Sequence, residues 1–342
     1  MPIVHPKLRP VETPVRALPS CVAVTGGAGF LGNHLCDRLS ASGHEVLVVD
    51  NLSTGSMSHL TNARRGSRFE FIKTDLVEAL PAAVSRAGWI FHLASPASPA
   101  YYQRKPVQTT LTNTVGTWRV LDCASLSGAR VLQASTSEVY GTPQVHPQPE
   151  SYWGRVNSFG PRACYDEGKR SAEALCYGYA NERGVAVRIA RLFNCYGPRL
   201  LPGDGRVVSN FIVQALRGLP LTVYGDGLQM RSFCFVDDTV QGLLQLMASS
   251  VATPVNIGNP HEHIMLQLAE MVLRLTASRS VLLHLPLPAD DPDRRCPDVG
   301  RAFETIGWLP RVALEEGLRE TIAYFRYVLS RELVVGRRSI HS

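Results

Sequence analysis

Lysine is scarce in this chain. Lys7, Lys73, Lys105 and Lys169 are the only four in 342 residues, so the formal charge of +6 is carried almost wholly by arginine. Arginine's planar fork suits phosphate and carboxylate, and this balance fits an anionic substrate. No compact basic run interleaved with aromatics occurs, which argues against a nucleic-acid partner. No segment approaches the roughly 18 continuous apolar residues of a membrane span. Residues 1–19 are rich in Pro and Arg without an apolar core, so they read as a flexible segment, neither signal peptide nor anchor, and the expected location is cytoplasmic with no membrane partner. The eight cysteines are scattered and form no C-x-x-C. Several lie in apolar runs, so buried, reduced thiols are expected in place of a disulfide or zinc framework. His261 and His263 stand two apart without nearby Cys partners, and no metal is expected.

The remainder is ordinary for a soluble enzyme, with 45% hydrophobic and 19% charged residues. Apolar runs at 21–25, 46–50, 69–72, 89–93, 131–135 and 185–190 read as buried strands. Helical spacing intervenes, at 30–42, 110–124 and 167–183 for example. Nearly all-apolar strands alternating with helices predict an α/β fold, a Rossmann-like doubly wound parallel sheet covered on both faces. After about Asn194 Gly and Pro become denser and strands shorter. Residues 20–193 are therefore expected to form the dinucleotide-binding domain and residues 194–329 mainly a smaller α/β substrate lobe, with strand-like pieces at 221–224 and 255–257. Helices are expected at 207–217, 237–247, 266–275 and 314–329, and a frayed tail over 330–342.

The first strand runs into Gly26-Gly27-Ala28-Gly29-Phe30-Leu31-Gly32 and then a helix. Gly26, Gly29 and Gly32 allow a tight turn and close approach to a pyrophosphate, while the helix N-terminus supplies unpaired N–H groups. Asp50 ends the second strand, where an acid accepts hydrogen bonds from an adenosine ribose and repels a 2′-phosphate, so NAD is expected over NADP. Asp75, after the third strand, is a candidate adenine contact. The full cofactor set is Gly26, Gly29, Phe30, Leu31, Gly32, Asp50, Asn51, Asp75, Leu76, Leu93 and Ser95, with Tyr165 and Lys169.

Ser135-Thr136-Ser137-Glu138-Val139-Tyr140-Gly141 follows the fifth strand, and Tyr165-x-x-x-Lys169 follows that. A free phenol titrates near pH 10 and is a poor neutral base. Lys169 lies four residues on, on the same helical face, where its cation, together with the nicotinamide's charge, is expected to lower the Tyr165 pKa. Thr136 can donate to the substrate oxygen beside the phenol. These parts suffice to remove hydride from a secondary alcohol, and Glu138 is one carboxylate more than that task needs.

The segments HLASPASP (92–99), STSEVYG (135–141), RACYDEGKR (162–170), DGRVVSNF (204–211), LTVYGDG (221–227) and DDPDRRCPD (290–298) resemble the extended short-chain dehydrogenase/reductase superfamily and, within it, the UDP-glucuronate decarboxylases. The resemblance runs from about residue 20 to 327. It implies oxidation of UDP-glucuronate at C-4 with Tyr165 as base, loss of the C-5 carboxylate as carbon dioxide, and return of hydride to give UDP-xylose with NAD recycled. It assigns Glu138 and Arg295 to the decarboxylation stage. It places Tyr102, Asn194, Arg206, Gln229 and Arg231 at the nucleotide sugar, and it implies a homodimer built on the helices at 110–124 and 167–183. The chain departs from the pattern at Leu111, Cys296, Cys195 and Met230: lysines are usual at the first two positions and threonines at the others. A 4-epimerase needs no acid at 138; a 4,6-dehydratase carries an acid where Ser137 stands. A non-catalytic NAD-binding partner subunit is the alternative from another class.

Overall fold

The computed structural model describes residues 19–66, 68–287 and 294–338. The expected flexible segment 1–19 falls almost wholly outside these, as do residues 339–342 of the tail and residues 290–293 of the DDPDRRCPD segment. Six strands alternate with helical segments in the first half: β1 (Cys21–Thr25), β2 (Glu45–Asp50), β3 (Phe69–Lys73), β4 (Trp89–His92), β5 (Arg130–Thr136) and β6 (Val187–Leu192). Helix α1 (Phe30–Ala41) joins β1 to β2. Helices α2 (Pro99–Tyr102), α3 (Pro106–Leu111) and α4 (Thr117–Ser127) join β4 to β5, and α5 (Ala163–Arg183) precedes β6.

In space the sheet runs β3-β2-β1-β4-β5-β6, all parallel. The order reverses beside β1, where a doubly wound sheet opens a crevice at its strand ends. β1 and β2 are almost wholly buried, as an all-apolar parallel strand covered on both faces must be.

The second half contains β7 (Cys195–Tyr196), α6 (Val207–Leu216), β8 (Leu221–Tyr224), β9 (Met230–Ser232), β10 (Cys234–Phe235), α7 (Val236–Ala248), β11 (Val255–Ile257), β12 (Glu262–Ile264), α8 (Met265–Thr276), β13 (Leu282–Leu285), β14 (Arg294–Arg295), α9 (Gly300–Ile306) and α10 (Leu314–Arg338). It is not a separate lobe throughout. β11 pairs in parallel with β6 as the seventh strand of the main sheet, and α7 packs against α1 and β6. The hydrophobic core is continuous across this junction, from Val22 and Leu35 to Leu243 and Trp308. β12, β9 and β14 form a small sheet of their own, β8 and β13 another.

Two elements differ from expectation. The single helix expected over 110–124 is broken: α3 stops at Leu111 and a π-turn over Thr112–Gly116 leads into α4. Thr110, Thr112, Thr114 and Thr117 each donate their hydroxyl to the carbonyl four residues earlier, competing with the backbone ladder, and the turn widens. At the other end, α10 continues to Arg338, beyond the expected stop at 329.

Candidate active site

The crevice is a cavity of about 640 Å³, walled by the ends of β1, β2, β4, β5 and β6 and by α5. At its floor, Gly26 adopts a left-handed φ of +71°, and a Cβ there would meet the Ala94 backbone at 2.7 Å. A Cβ on Gly32 would collide with the Gly26 carbonyl, so α1 can start this close to β1 only without a side chain. The first turn of α1 faces the cavity, as a pyrophosphate site requires.

Asp50 is buried at the cavity wall. One carboxylate oxygen accepts from Ala28 N at 2.9 Å, the other from Leu52 N at 2.7 Å. Burial raises its pKa, and the two amide donors oppose that. Each oxygen keeps a second lone pair for a ribose hydroxyl. Asp75 is a hub: Asn51 Nδ2 and Gln108 Nε2 both donate to its Oδ2 at 3.0 Å, and Val77 N to its Oδ1 at 2.9 Å. Phe30, Leu31, Asn51, Leu76, Leu93 and Ser95 line the same cavity, so the whole expected cofactor set converges there. The glycine cradle, the twin-acceptor acid and the cavity's extent fit a dinucleotide.

Tyr165 and Lys169 project from α5 under the end of β5. Both are buried. Thr136 hydrogen-bonds the Tyr165 side chain, yet burial pushes the phenol up to about 12. In the protein alone desolvation outweighs the Thr136 hydroxyl; the expected lowering calls on the nicotinamide's charge as well as on Lys169. Lys169 Nζ donates to Ala134 O at 2.8 Å and lies 5.9 Å from the Tyr165 ring centre. Burial drives its pKa down to about 7. Tyr102 stacks flat on Tyr165, with ring centres 5.1 Å apart and planes within 3°.

Glu138 is the second residue of the 3₁₀ turn Ser137–Tyr140 after β5, where Thr136 Oγ1 accepts from its backbone N–H at 3.2 Å. Its carboxylate is gripped from two sides. Arg295 Nη1 donates to Oε1, and Arg162 Nη2 donates to Oε2 at 2.6 Å. The two cations hold its pKa at about 2, against the pull of burial. Arg295 also donates to Gly141 O at 3.1 Å, while its buried Nε has no hydrogen-bond partner. Asp166 lies behind this cluster, its Oδ2 3.9 Å from Arg162 Nε and its buried Oδ1 without a partner. Burial, with Glu138 nearby, raises its pKa to about 7.

Of the expected substrate residues, Tyr102, Asn194 and Arg206 line the cavity. Arg206 is held by Asp204 at 2.6 Å, and Asn194 Nδ2 donates to Ser232 O at 3.4 Å. Gln229 and Arg231 do not line it: Gln229 Nε2 donates to Tyr224 O at 2.9 Å, and Arg231 sits in β9 in register with Arg295 of β14. Leu111 is outside the wall as well, which passes through Arg104, Lys105, Gln108, Thr109 and Thr112. Arg162 and Asp166 are the residues sequence reasoning missed. Their signal was present, one basic and one acidic position flanking Tyr165 on the first turns of α5.

Residues 22–258 match the NAD dependent epimerase/dehydratase family. The chain is 54% identical over 312 residues to UDP-glucuronic acid decarboxylase 1 of Danio rerio, covering 91% of this chain and 73% of that relative. It is 49% identical to UDP-glucuronic acid decarboxylase 5 of Arabidopsis thaliana, covering 92% and 93%. Among solved structures it resembles a UDP-glucose 4-epimerase of Thermotoga maritima with UDP-glucose, at a TM-score of 0.83 and 32% identity over 90% of this chain and 99% of that one. A UDP-glucuronic acid 4-epimerase of Bacillus cereus, in complex with UDP-glucuronic acid and NAD, superposes with a TM-score of 0.80 at 26% identity, over 90% and 99%. With the cradle, the Tyr165–Lys169 pair and the Glu138 cluster in place, this chain belongs to the NAD dependent epimerase/dehydratase family, within its group of UDP-glucuronic acid decarboxylases.

Proposed function

We propose that the chain is an NAD-dependent decarboxylase that converts UDP-glucuronate to UDP-xylose and carbon dioxide. The observation that carries this reading is Glu138 clamped between Arg162 and Arg295 beside the buried Tyr165. A 4-epimerase acting on a neutral sugar needs only the phenol and its lysine; the two-arginine cluster suits a substrate that carries a carboxylate next to the oxidised carbon.

Bound NAD supplies the hydride acceptor at sugar C-4 and a positive charge near the phenol. Gly26, Gly29 and Gly32 would hold its pyrophosphate and Asp50 its ribose. Tyr165 takes the proton of the 4-hydroxyl, with Thr136 fixing the oxygens. Burial disfavours both the phenolate and the Lys169 ammonium when each is alone, so the two charged forms stabilise each other as an ion pair. Oxidation at C-4 leaves the C-5 carboxylate β to a ketone, and the C–C bond breaks with its electrons flowing into that ketone. Glu138, with a pKa of about 2, stays ionised at neutral pH. Its role is therefore to hold Arg162 and Arg295 as fixed positive charge toward the sugar acid and its enolate, in place of shuttling a proton itself. Arg206 is placed to contact the diphosphate. Arg104 and Lys105, on the wall beside Leu111's helix, supply cations that a lysine at 111 would otherwise provide.

We also propose a cytoplasmic homodimer. Eight free cysteines suit a reducing compartment. Val107 and Tyr177, 72% and 73% exposed on α3 and α5, together with Trp118 on α4, give these helices an uncovered apolar face. Among the described residues no helix is long and apolar enough to cross a membrane.

The deciding experiment incubates purified protein with UDP-glucuronate and catalytic NAD. Carbon dioxide and UDP-xylose without stoichiometric NADH are expected. Epimerised UDP-sugar acid without carbon dioxide would replace the reading by a 4-epimerase, and absence of turnover with intact NAD binding by a non-catalytic subunit.

A further inference from the structure

Three side chains with metal-ligating atoms converge on the side of Arg295 away from the cofactor cavity. His146, Glu262 and Cys296 each offer one such atom, and the three lie within 4.8 Å of one another. They come from separate parts of the chain that backbone hydrogen bonds tie together. Gln148 N donates to Cys296 O, and Cys296 N donates to Gln148 Oε1, both at 2.9 Å, which docks the segment after His146 onto the residue after β14. Glu262 opens β12, and β12 and β14 flank β9 on its two sides. The backbone positions of the three residues are thus set by the fold.

This spot already attracts a cation. Arg294 Nη2 lies 2.9 Å from His146 Nε2 and 2.8 Å from Glu262 Oε2. His146 Nε2 lies 3.0 Å from Glu262 Oε2 as well, so two of the three candidate ligand atoms already meet. Arg294 itself is half-exposed, so its side chain is free to swing into solvent. Cys296 is buried at the inner side, its thiol donating to Pro260 O at 3.3 Å.

We propose that His146, Glu262 and Cys296 bind a thiophilic divalent cation, zinc by the chemistry of the donors, which takes the place of the Arg294 guanidinium. One imidazole nitrogen, one carboxylate oxygen and one sulfur match zinc's ligand preferences, whereas magnesium and calcium call for oxygen alone. Three protein ligands leave the fourth tetrahedral position to water. On binding, the thiol releases its proton to solvent and the sulfur forms the metal bond; the dication then balances one carboxylate and one thiolate. Because Cys296 directly follows Arg295, the cation pins the strand from which Arg295 reaches Glu138.

Cobalt(II) and zinc(II), added separately to the full chain stripped with chelator, test the site. Cobalt is expected to bind with one equivalent and give thiolate-to-cobalt charge-transfer absorption, and zinc to displace it and raise the melting temperature. Cys296→Ser should lose the charge-transfer band and weaken zinc at least about a hundredfold. Arg294→Ala, which removes the resident cation and leaves all three ligands, should tighten zinc several-fold. It gives a second reading should Cys296→Ser fail to fold. No charge-transfer band in the wild-type chain, an unchanged band in folded Cys296→Ser, or weaker zinc binding by Arg294→Ala would each overturn the proposal.

Discussion

Glu138→Gln probes the centre of the charge cluster, and the structure sets the scale of its effect. The carboxylate accepts from Arg295 on one oxygen and from Arg162 on the other. Both guanidinium groups are mostly shielded from water, with side-chain exposures of 5% and 14%. Glutamine keeps one acceptor but turns an N–H₂ toward the second guanidinium, leaving a buried cation unpaired. Removing one partner from a buried ion pair costs about 3–5 kcal/mol. The pKa gives a second route to the same figure: a fall from 4.5 to about 2 corresponds to about 3 kcal/mol of stability at neutral pH. The sign follows from the lowered folded-state value. The contribution is complete above the unfolded pKa of 4.5 and disappears as pH falls through 2, so wild type and variant should differ fully at pH 7 and converge in strong acid. Urea unfolding at pH 7 and at pH 3 measures this directly. Turnover should fall at least about a hundredfold, read as carbon dioxide release, while calorimetry still detects UDP-glucuronate and NAD binding. Full turnover, or a loss of stability below about 1 kcal/mol at pH 7, would refute the clamp as the centre of the site.

Tyr165→Phe should lower turnover by at least about two orders of magnitude with NAD affinity nearly unchanged, since only the proton acceptor is lost. Lys169→Met isolates a pH effect: because the Lys169 pKa falls from 10.5 to about 7 on folding, the wild type should lose stability relative to the variant as pH drops from about 10 to 7, and a flat difference across that window would contradict the lowering of its pKa by burial. Light scattering at micromolar concentration should give a dimer mass, and replacing Tyr177 by Glu should shift it toward monomer.

Much of this architecture was legible because it is local. Each strand of the first half is a short apolar run, each glycine of the cradle lies within seven residues, and Tyr165 and Lys169 are one helical turn apart. What stayed hidden depends on distant pairing or on competition between weak forces. Val255–Ile257 was readable as a strand, but only its register with Ala190–Leu192 shows that it extends the main sheet. The π-turn at Thr112–Gly116 arises from threonine hydroxyls competing with the ladder, a balance that apolar spacing does not record. Arg162 was in view beside Tyr165, yet its meaning depends on Glu138, 24 positions away, and on Arg295, 157 positions from Glu138. The burial of Tyr165 was hidden too: sequence shows the nearby lysine but not the desolvation that raises the phenol in the protein alone.

The contrast between the two halves of the site has a chemical consequence. Around Tyr165 and Lys169, burial favours neutral groups, a phenol near 12 and an amine near 7. A short distance away, Glu138 is held ionised by two arginines. Moving a proton and a hydride requires groups whose charges change together in the course of the reaction. Losing carbon dioxide requires the opposite, fixed charges that do not titrate while negative charge moves from the carboxylate to the enolate oxygen. Asp166 stands between these regimes: it is raised to about 7 by burial and by Glu138, and its Oδ2 lies 3.9 Å from Arg162 Nε. When it is protonated, the Glu138–Arg162–Arg295 cluster carries one net positive charge; when it is ionised, that charge is cancelled. On the proposed mechanism the positive state faces the sugar acid, so the strength with which the site holds its substrate should fall as pH rises through 7, where Lys169 loses its proton too, while Glu138 stays ionised and Tyr165 protonated.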